Sequence, residues 1–380
     1  MDENKTKKEN IIAWIIVFIF LICIPCLFWP LLKPFVSSRS NNENRVVSEL
    51  PCLTKETIFE YPVLWETYFS DNLPYRDILI ETDAALSYYF LGESVSEQVI
   101  VGEEGWLFYE GELADYKRNN LYSQEELEKI KNDVLETQRY FDEKGIKFII
   151  FIAPNKVSVY GDSYMPQYIK RYNDINRTQQ LVEYIKENTD VTIIFPEKEL
   201  KEMRELYSDK QLYFRLDTHW NYLGGYFGVK ELFEKLSIKI ADYSELKIQE
   251  VNEPCFFWNG YDLANMMGMT NILTEDVNYI IEQPTDVDIT YIGDVRKDVE
   301  VFNTFTRSYS NALDERKVFF CRDSFGEAMM PFLTAHFKEV YSPHVATMSQ
   351  KQIEKENPDI FILEIVERTG LEHVLYSSWK

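Results

Sequence analysis

The strongest constraint on this chain is a set of uninterrupted apolar runs separated by helical patterns. "KFIIFIAP" (147–154), "VTIIFP" (191–196), "KVFFC" (317–321) and "DIFILEIVE" (359–367) place apolar side chains at odd and even positions alike. A strand with one face in water alternates, whereas a strand covered on both faces does not. "SQEELEKIKNDVLETQRYFDEKG" (123–145) precedes the first run; it opens on a Ser123–Glu126 capping box and stops at Gly145. Further helical patterns lie around 175–188 and 197–207, after "DTHWN", at "FGEAMMPFLTAHF" and at "SQKQIEKEN". "VIVGEEGWLFYEGE" (99–112) reads as two short strands around a turn, "QLYFRL" (211–216) and "KEVYS" (338–342) as strands, and 240–315 as less regular. Strands alternating with helices predict an α/β domain with a mainly parallel sheet flanked by helices. In such a sheet, ligands bind beyond the carboxyl ends of the strands.

Ahead of this pattern, "IIAWIIVFIFLICIPCLFWPLL" (11–32) holds 22 residues without a charge, the length that spans a bilayer as a helix. No small-residue cleavage site follows it and no lipobox precedes Cys23 or Cys26, so it reads as one uncleaved N-terminal transmembrane signal anchor. Lys5, Lys7 and Lys8 precede it and Lys33, Arg39 and Arg45 follow it, which leaves the charge rule nearly balanced. The short tail, with the folded mass behind the anchor, favours a cytoplasmic N-terminus and an extracytoplasmic C-terminal domain at the cell membrane. The expected organisation is a tail (1–10), the anchor (11–32), a stalk and helical region (33–95) and the α/β domain (96–380). The 40 basic against 63 acidic side chains, net −23, argue against a nucleic-acid partner. Five dispersed cysteines make neither a disulfide framework nor a zinc site, and leave a single Cys52–Cys255 bridge open.

Two Asp-Ser pairs compete for the role of nucleophile: "FFCRDSFGEAMMPF" (319–332) and "VYGDSYMP" (159–166). Ser324 comes three residues after an apolar run and opens an amphipathic helix whose apolar positions include Phe325, Ala328, Met329, Phe332, Leu333 and Phe337. That placement exposes a serine at the top of the sheet, beside backbone N–H groups at Ser324 and Gly326 able to hold an oxyanion. The structural alternative is that Asp323 or Ser324 is simply an N-cap. Ser163 lies nine residues past its strand in "GDSY", which reads as a surface turn.

A serine needs a base. His373 is near the C-terminus, His336 ends a helix, and His344 follows Pro343 after a strand. His219 in "RLDTHWN" has Asp217 two residues before it, and in extended chain both project to one side. Asp217 is then placed to fix the imidazole tautomer while His219 takes the serine proton. Asp-x-His also occurs by chance or as part of a metal site; with no third ligand nearby, no metal is expected, and no cofactor.

Taken together, "GEEGWLFYEGE", "APNKVSVYGDSYMP", "LDTHWNYLGGYFG" and "FCRDSFGEAMMPFL", in this order, resemble the alginate O-acetyltransferase family, and in particular its DHHW-type bacterial branch, which "GYDLANMMGM" (260–269) also fits. The resemblance covers roughly 43–345. It implies an SGNH-hydrolase-like fold and a Ser-His-Asp triad whose Asp-x-His block precedes the serine block, here Asp217, His219 and Ser324. Two departures stand out: Arg322 replaces the family's glycine before Asp-Ser, and Thr218 stands where the branch name has a histidine. The resemblance implies O-acetylation of a cell-surface or secreted polysaccharide, with acetyl supplied by a membrane-bound O-acyltransferase partner. A carbohydrate acetyl esterase and a non-catalytic glycan-binding or scaffold subunit are the alternatives. Trp106, Tyr160 and Trp220 are the candidates to stack on sugar rings, against core packing. Asn155, Lys156 and Arg322 are the candidate polar contacts to substrate, against a surface turn for the first two.

Overall fold

The computed structural model describes residues 13–19, 48–54, 56–71, 76–254, 260–283, 287–292 and 305–379. The tail at 1–10, most of the apolar run at 11–32, the stalk at 33–45, and Cys23, Cys26 and Cys255 lie outside these residues. Residues 13–19 are helical. Among the described residues no helix is long and apolar enough to cross a membrane.

The chain divides into residues 1–95 and 96–380. The first unit contributes helices Tyr61–Asp71 and Arg76–Leu86, the latter continued by a π-helical turn over Ser87–Leu91. The second begins with the antiparallel pair β1 (Val99–Val101) and β2 (Leu107–Tyr109). Among the described residues its main sheet has seven strands: β3 (Lys147–Ala153), β4 (Ile193–Ile194), β7 (Ile289–Ile292), β8 (Phe305–Ser310), β9 (Asp314–Cys321), β10 (Phe337–Pro343) and β11 (Ile360–Val366). They lie in the order β4-β3-β11-β9-β10-β8-β7. A separate two-stranded ribbon pairs β5 (Lys247–Val251) with β6 (Asn278–Glu282).

From β4 to β10 every neighbouring pair is parallel, as the apolar runs predict. The other edge differs. β8 runs antiparallel to both β10 and β7, so the sheet is mixed rather than mainly parallel throughout. The reason is visible in burial. β11 is buried at every position, whereas β7 exposes Tyr291 and Ile292 and β8 exposes Tyr309. Antiparallel strands tolerate one wet face, and their sequences ("ITYI", "FTRSYS") lack the continuous apolar signature.

Strand alternation divides the core between the two faces of the sheet. Ile149, Phe151, Val318, Phe320, Ile360 and Ile362 pack on one side with Trp220, Tyr226 and Phe233 from the helix Tyr222–Leu236 and its approach. Phe148, Ile150, Ile152, Phe319, Phe361 and Leu363 pack on the other with Leu127, Val134 and Phe141 of the helix Gln124–Asp142. That helix is entered through the Ser123–Glu126 capping box read from the sequence.

"QLYFRL" is not a strand of the sheet. Residues 212–221 double back instead: Phe214 N–H donates to His219 O at 3.1 Å and Asn221 N–H to Leu212 O at 3.0 Å. The residues around Asp217 form the tip of this loop. Asn221 then caps the following helix by accepting from the N–H groups of Leu223 and Gly224.

Candidate active site

The strand β9 ends in Cys321, and the chain runs on through Arg322, Asp323 and Ser324 into a 3-10 turn over Phe325–Met329 and a helix over Met330–His336. Asp323 fastens this corner. Its Oδ1 accepts from Phe325 N–H at 2.8 Å, its Oδ2 from Val366 N–H at 2.6 Å at the end of β11, and its own N–H donates to Glu364 Oε2 at 3.1 Å. Asp323 thus does the capping, while the Ser324 side chain makes no cap bond.

The Ser324 hydroxyl turns instead to His219, with Oγ 2.7 Å from Nε2 across 105 residues of chain. His219 Nδ1 lies 2.6 Å from Asp217 Oδ1. A carboxylate can only accept, so Nδ1 carries the proton and Nε2 is left to accept from the serine. Both His219 and Asp217 are buried, while Ser324 is half-buried. Burial pushes the Asp217 carboxyl upward, but the imidazole and the backbone N–H groups of Asp262 and His219 outweigh it and hold it below the usual carboxylate range.

The glycines of "NYLGGYFG" explain how the two halves meet. A Cβ on Gly225 would stand 2.5 Å from Ala328 O, so only a bare Cα lets the helix Tyr222–Leu236 approach the turn after Ser324 this closely. Trp220 reinforces the contact: its indole N–H donates to Phe325 O at 2.8 Å.

Most of the proposed substrate contacts are placed otherwise. Trp220 is fully buried and braces the serine turn from within the core. Trp106 and Tyr160 are buried and stack on each other at 4.3 Å, and the Tyr160 hydroxyl accepts from Leu212 N–H. They line a cavity of about 330 Å³ with Tyr164, Arg204 and Lys210, and neither His219 nor Ser324 is among its described lining. Asn155 is buried, with its N–H on Glu367 and its Oδ1 accepting from Arg368 N–H. Lys156 is fully buried, and its ammonium donates to the carbonyls of Phe214 (3.1 Å), Arg215 (3.2 Å) and Asp217 (2.6 Å). Asn155 and Lys156 are therefore neither surface-turn residues nor contacts open to a ligand; Lys156 holds the Asp217 loop from below. The Arg322 guanidinium is also inward, on Ser342 Oγ, Asp323 O and Glu327. It clamps the serine corner rather than facing a substrate.

Gly326 is corrected in the same way. Its Cα face meets Arg322 and Glu364, with an added Cβ 2.6 Å from Arg322 Cβ and 2.8 Å from Glu364 Oε2. Its N–H serves the Glu364 carboxyl. The backbone N–H of Ser324 is the oxyanion candidate that remains. Burial, then the Asp323 charge, push the Glu364 carboxyl well up.

Ser163 is exposed on the last turn of the helix Lys156–Tyr164, not in a free turn. The other histidines have partners of their own. His336 Nδ1 bonds Phe332 O, His344 caps a 3-10 turn through Ala346 N–H, and the His373 side chain is exposed.

Sequence reasoning assigned no role to Asp262, at the start of the helix Asp262–Met266. Its N–H donates to Asp217 Oδ2 at 2.8 Å, and its carboxylate accepts from Thr218 N–H (2.7 Å) and Thr218 Oγ1 (2.5 Å). Asp262 Oδ2 lies 3.7 Å from His219 Nδ1. Burial and the Asp217 charge push its carboxyl up to about 6. Asp217, His219 and Asp262 form a group whose donor atoms lie within 4.8 Å of one another, the ligand count that "DTHWN" alone lacked. Of these atoms, Asp217 Oδ1 is bonded to His219 Nδ1, and the Asp262 carboxylate is bonded to Thr218.

Known proteins share this architecture. Residues 99–279 match the family model for the SGNH hydrolase-like domain of the acetyltransferase AlgX, a stretch that includes Asp217 and His219 and ends before Ser324. Among solved structures, Bacillus cereus PatB1 is similar at 14% identity over 74% of this chain and 98% of PatB1, with a TM-score of 0.52. PatB1 carrying a sulfonyl adduct aligns at 15% identity over 72% of this chain and 97% of that one, TM-score 0.51. A DHHW family protein from Eubacterium siraeum aligns at 15% identity over 73% and 98%, TM-score 0.49. No curated protein matches the sequence significantly. At such identities the likeness to PatB1 is one of fold, an SGNH-hydrolase-like α/β arrangement with a mixed sheet. Residues 99–279 are thus similar to the SGNH hydrolase-like domain of the acetyltransferase AlgX, over a little less than half of this chain.

Proposed function

We propose that this protein is a serine-dependent O-acetyltransferase acting on an extracytoplasmic polysaccharide. The observation that carries the reading is the 2.7 Å approach of Ser324 Oγ to His219 Nε2, with Asp217 at 2.6 Å behind the ring. The AlgX family match supplies the acyl-transfer class. Ser324 Oγ attacks the acetyl carbonyl carbon as its proton passes to His219 Nε2. The Ser324 N–H takes the oxyanion, and the bond to the donor's leaving group breaks as His219 returns the proton to that group. Acetyl-Ser324 remains. A sugar hydroxyl then gives its proton to His219 and attacks the acyl carbon, releasing the O-acetyl sugar and free Ser324. Water in place of the sugar gives the esterase reaction.

The remaining parts follow from the sequence reading. The run at 11–32 anchors the chain, the domain lies outside the membrane, and a membrane-bound O-acyltransferase supplies acetyl where coenzyme A thioesters are absent. The test is the full chain with an activated acetyl ester, with and without an oligosaccharide acceptor, followed by intact mass. Wild type should gain about 42 Da, one acetyl in place of hydrogen, and lose it faster with acceptor than with water alone. Ser324→Ala should gain nothing, and Ser163→Ala should match wild type. Turnover surviving Ser324→Ala, or an adduct on Ser163, would overturn the assignment.

A further inference from the structure

We infer that Asp262 is a second carboxylate of the His219 site, a positioning residue that holds Asp217 and Thr218 around the imidazole and adds its charge to the imidazolium formed during acyl transfer. This rests on the acyl-transfer reading above. A single carboxylate behind the ring can orient it, yet here Asp217 uses Oδ1 for His219 and Oδ2 for the Asp262 N–H. Asp262 closes the circuit. Its carboxylate grips Thr218 at both N–H and hydroxyl, and Thr218 Oγ1 in turn lies 3.3 Å from His219 Nδ1. Two carboxylates therefore flank one nitrogen, at 2.6 and 3.7 Å.

Like charges this close do not ionise independently. The pair separates: Asp217 is held low by the imidazole, and Asp262 is pushed up by burial and by Asp217. The charged groups facing Asp262 are Asp217 and His219 on the loop and the buried Lys156 ammonium beneath it. Glu112 and Asp276 also act on Lys156. At neutral pH Asp262 is an anion and stabilises a developing imidazolium. Below about pH 6 it gains a proton and that help disappears. Asn at this position copies the protonated form in shape and charge. It keeps an acceptor for Thr218, and the backbone N–H to Asp217 is untouched.

The probe is an arylsulfonyl fluoride, which sulfonylates an activated serine, fluoride leaving as the S–O bond forms, without needing the natural donor or acceptor. Its rate of modification of Ser324 is followed by mass in the full chain across pH 5 to 8, for wild type, Asp262→Asn, Thr218→Val and Ser324→Ala. At pH 7.5, Asp262→Asn should react about ten- to a hundredfold more slowly, the size of effect that losing an outer-shell partner of a functional imidazole has. The gap should close to about two- to tenfold at pH 5, where most of the wild type carries the neutral carboxyl too. Thr218→Val should fall between the two, because the hydroxyl link is lost while the carboxylate remains. A purely structural role would leave the gap independent of pH, and that result, or no gap at pH 7.5, overturns the inference. Thermal melts of the same samples separate misfolding from slow reaction. Labelling that persists in Ser324→Ala overturns the nucleophile assignment and this inference with it, whereas its loss there together with an unaffected Asp262→Asn overturns this inference alone.

Discussion

Lys156→Met tests whether the loop bearing Asp217 and His219 is held from inside the core. The ammonium is fully buried and donates to three backbone carbonyls, at 3.1, 3.2 and 2.6 Å. Burial lowers it from its ordinary 10.5 to about 8, against the pull of Asp262, Glu112, Asp217 and Asp276. Keeping it charged at neutral pH therefore costs roughly 3 kcal/mol, at about 1.4 kcal/mol per tenfold. Methionine removes that cost and fills the same volume. It also deletes three charge-assisted hydrogen bonds, each contributing about 1.5–3 kcal/mol. In addition it leaves four carboxylates without their shared cation, the situation in which breaking a buried pair costs about 3–5 kcal/mol. The hydrogen bonds and the broken pair describe overlapping contacts, so setting the hydrogen bonds alone against the relieved cost leaves a loss of about 1.5–6 kcal/mol, read as a lower urea midpoint at pH 7. The pH dependence has a definite sign. The folded state releases the Lys156 proton near pH 8 and the unfolded chain near 10.5, so between these values the unfolded state binds more protons and wild type gains stability from this group as pH rises. Lys156→Met lacks the group, and the gap between the two proteins should widen from pH 7 to 9.5. A midpoint change below about 1 kcal/mol, or a gap that narrows with pH, refutes this reasoning.

The serine corner and the imidazole give two further tests. Gly326→Ala drives a methyl to 2.6–2.8 Å from Arg322 and Glu364, so it should cost about 1–3 kcal/mol in urea unfolding and slow acylation of Ser324 by displacing the turn. A variant as stable and as fast as wild type would show that the corner yields freely. Asp217→Asn keeps the volume but presents an amide to His219 Nδ1 and favours the wrong tautomer. Acetylation of Ser324 should fall by about three to four orders of magnitude, with the melting temperature little changed; a loss of less than tenfold would separate Asp217 from the proton transfer.

Much of the fold was legible because burial on both faces writes itself into the strand sequence. "KFIIFIAP" and "DIFILEIVE" became β3 and β11, adjacent and parallel inside the sheet. The Ser123–Glu126 box formed because its two reciprocal bonds need only four consecutive residues. The β7–β8 edge was not legible. Its strands are half wet, and nothing local in "FTRSYS" says that it pairs with the strand two strands later. "QLYFRL" misled for the opposite reason: its apolar residues are buried, but against Lys156, Tyr160 and Trp220 in a loop rather than in a sheet ladder.

In the candidate site, the division runs between what a side chain is and which way it faces. Asp217, His219 and Ser324 could be picked out because each sits at a position whose local chain, a two-residue offset or a strand-to-turn corner, already fixes its direction. Asn155, Lys156, Trp220 and Arg322 were read as contacts to a ligand, and each is instead buried on partners of its own. Asn155 holds Glu367 and Arg368, Lys156 the Asp217 loop, Trp220 the serine turn, and Arg322 the corner before it. Polar side chains this deeply buried need partners, and the backbone of a functional loop is a ready source of unpaired carbonyls. The array at Ser324 is thus positioned less by the residues nearest in sequence than by buried polar groups reaching it from other elements. Asp262, 45 residues beyond Asp217, is the extreme case. Only the folded loop shows that its backbone and its carboxylate both close around the imidazole.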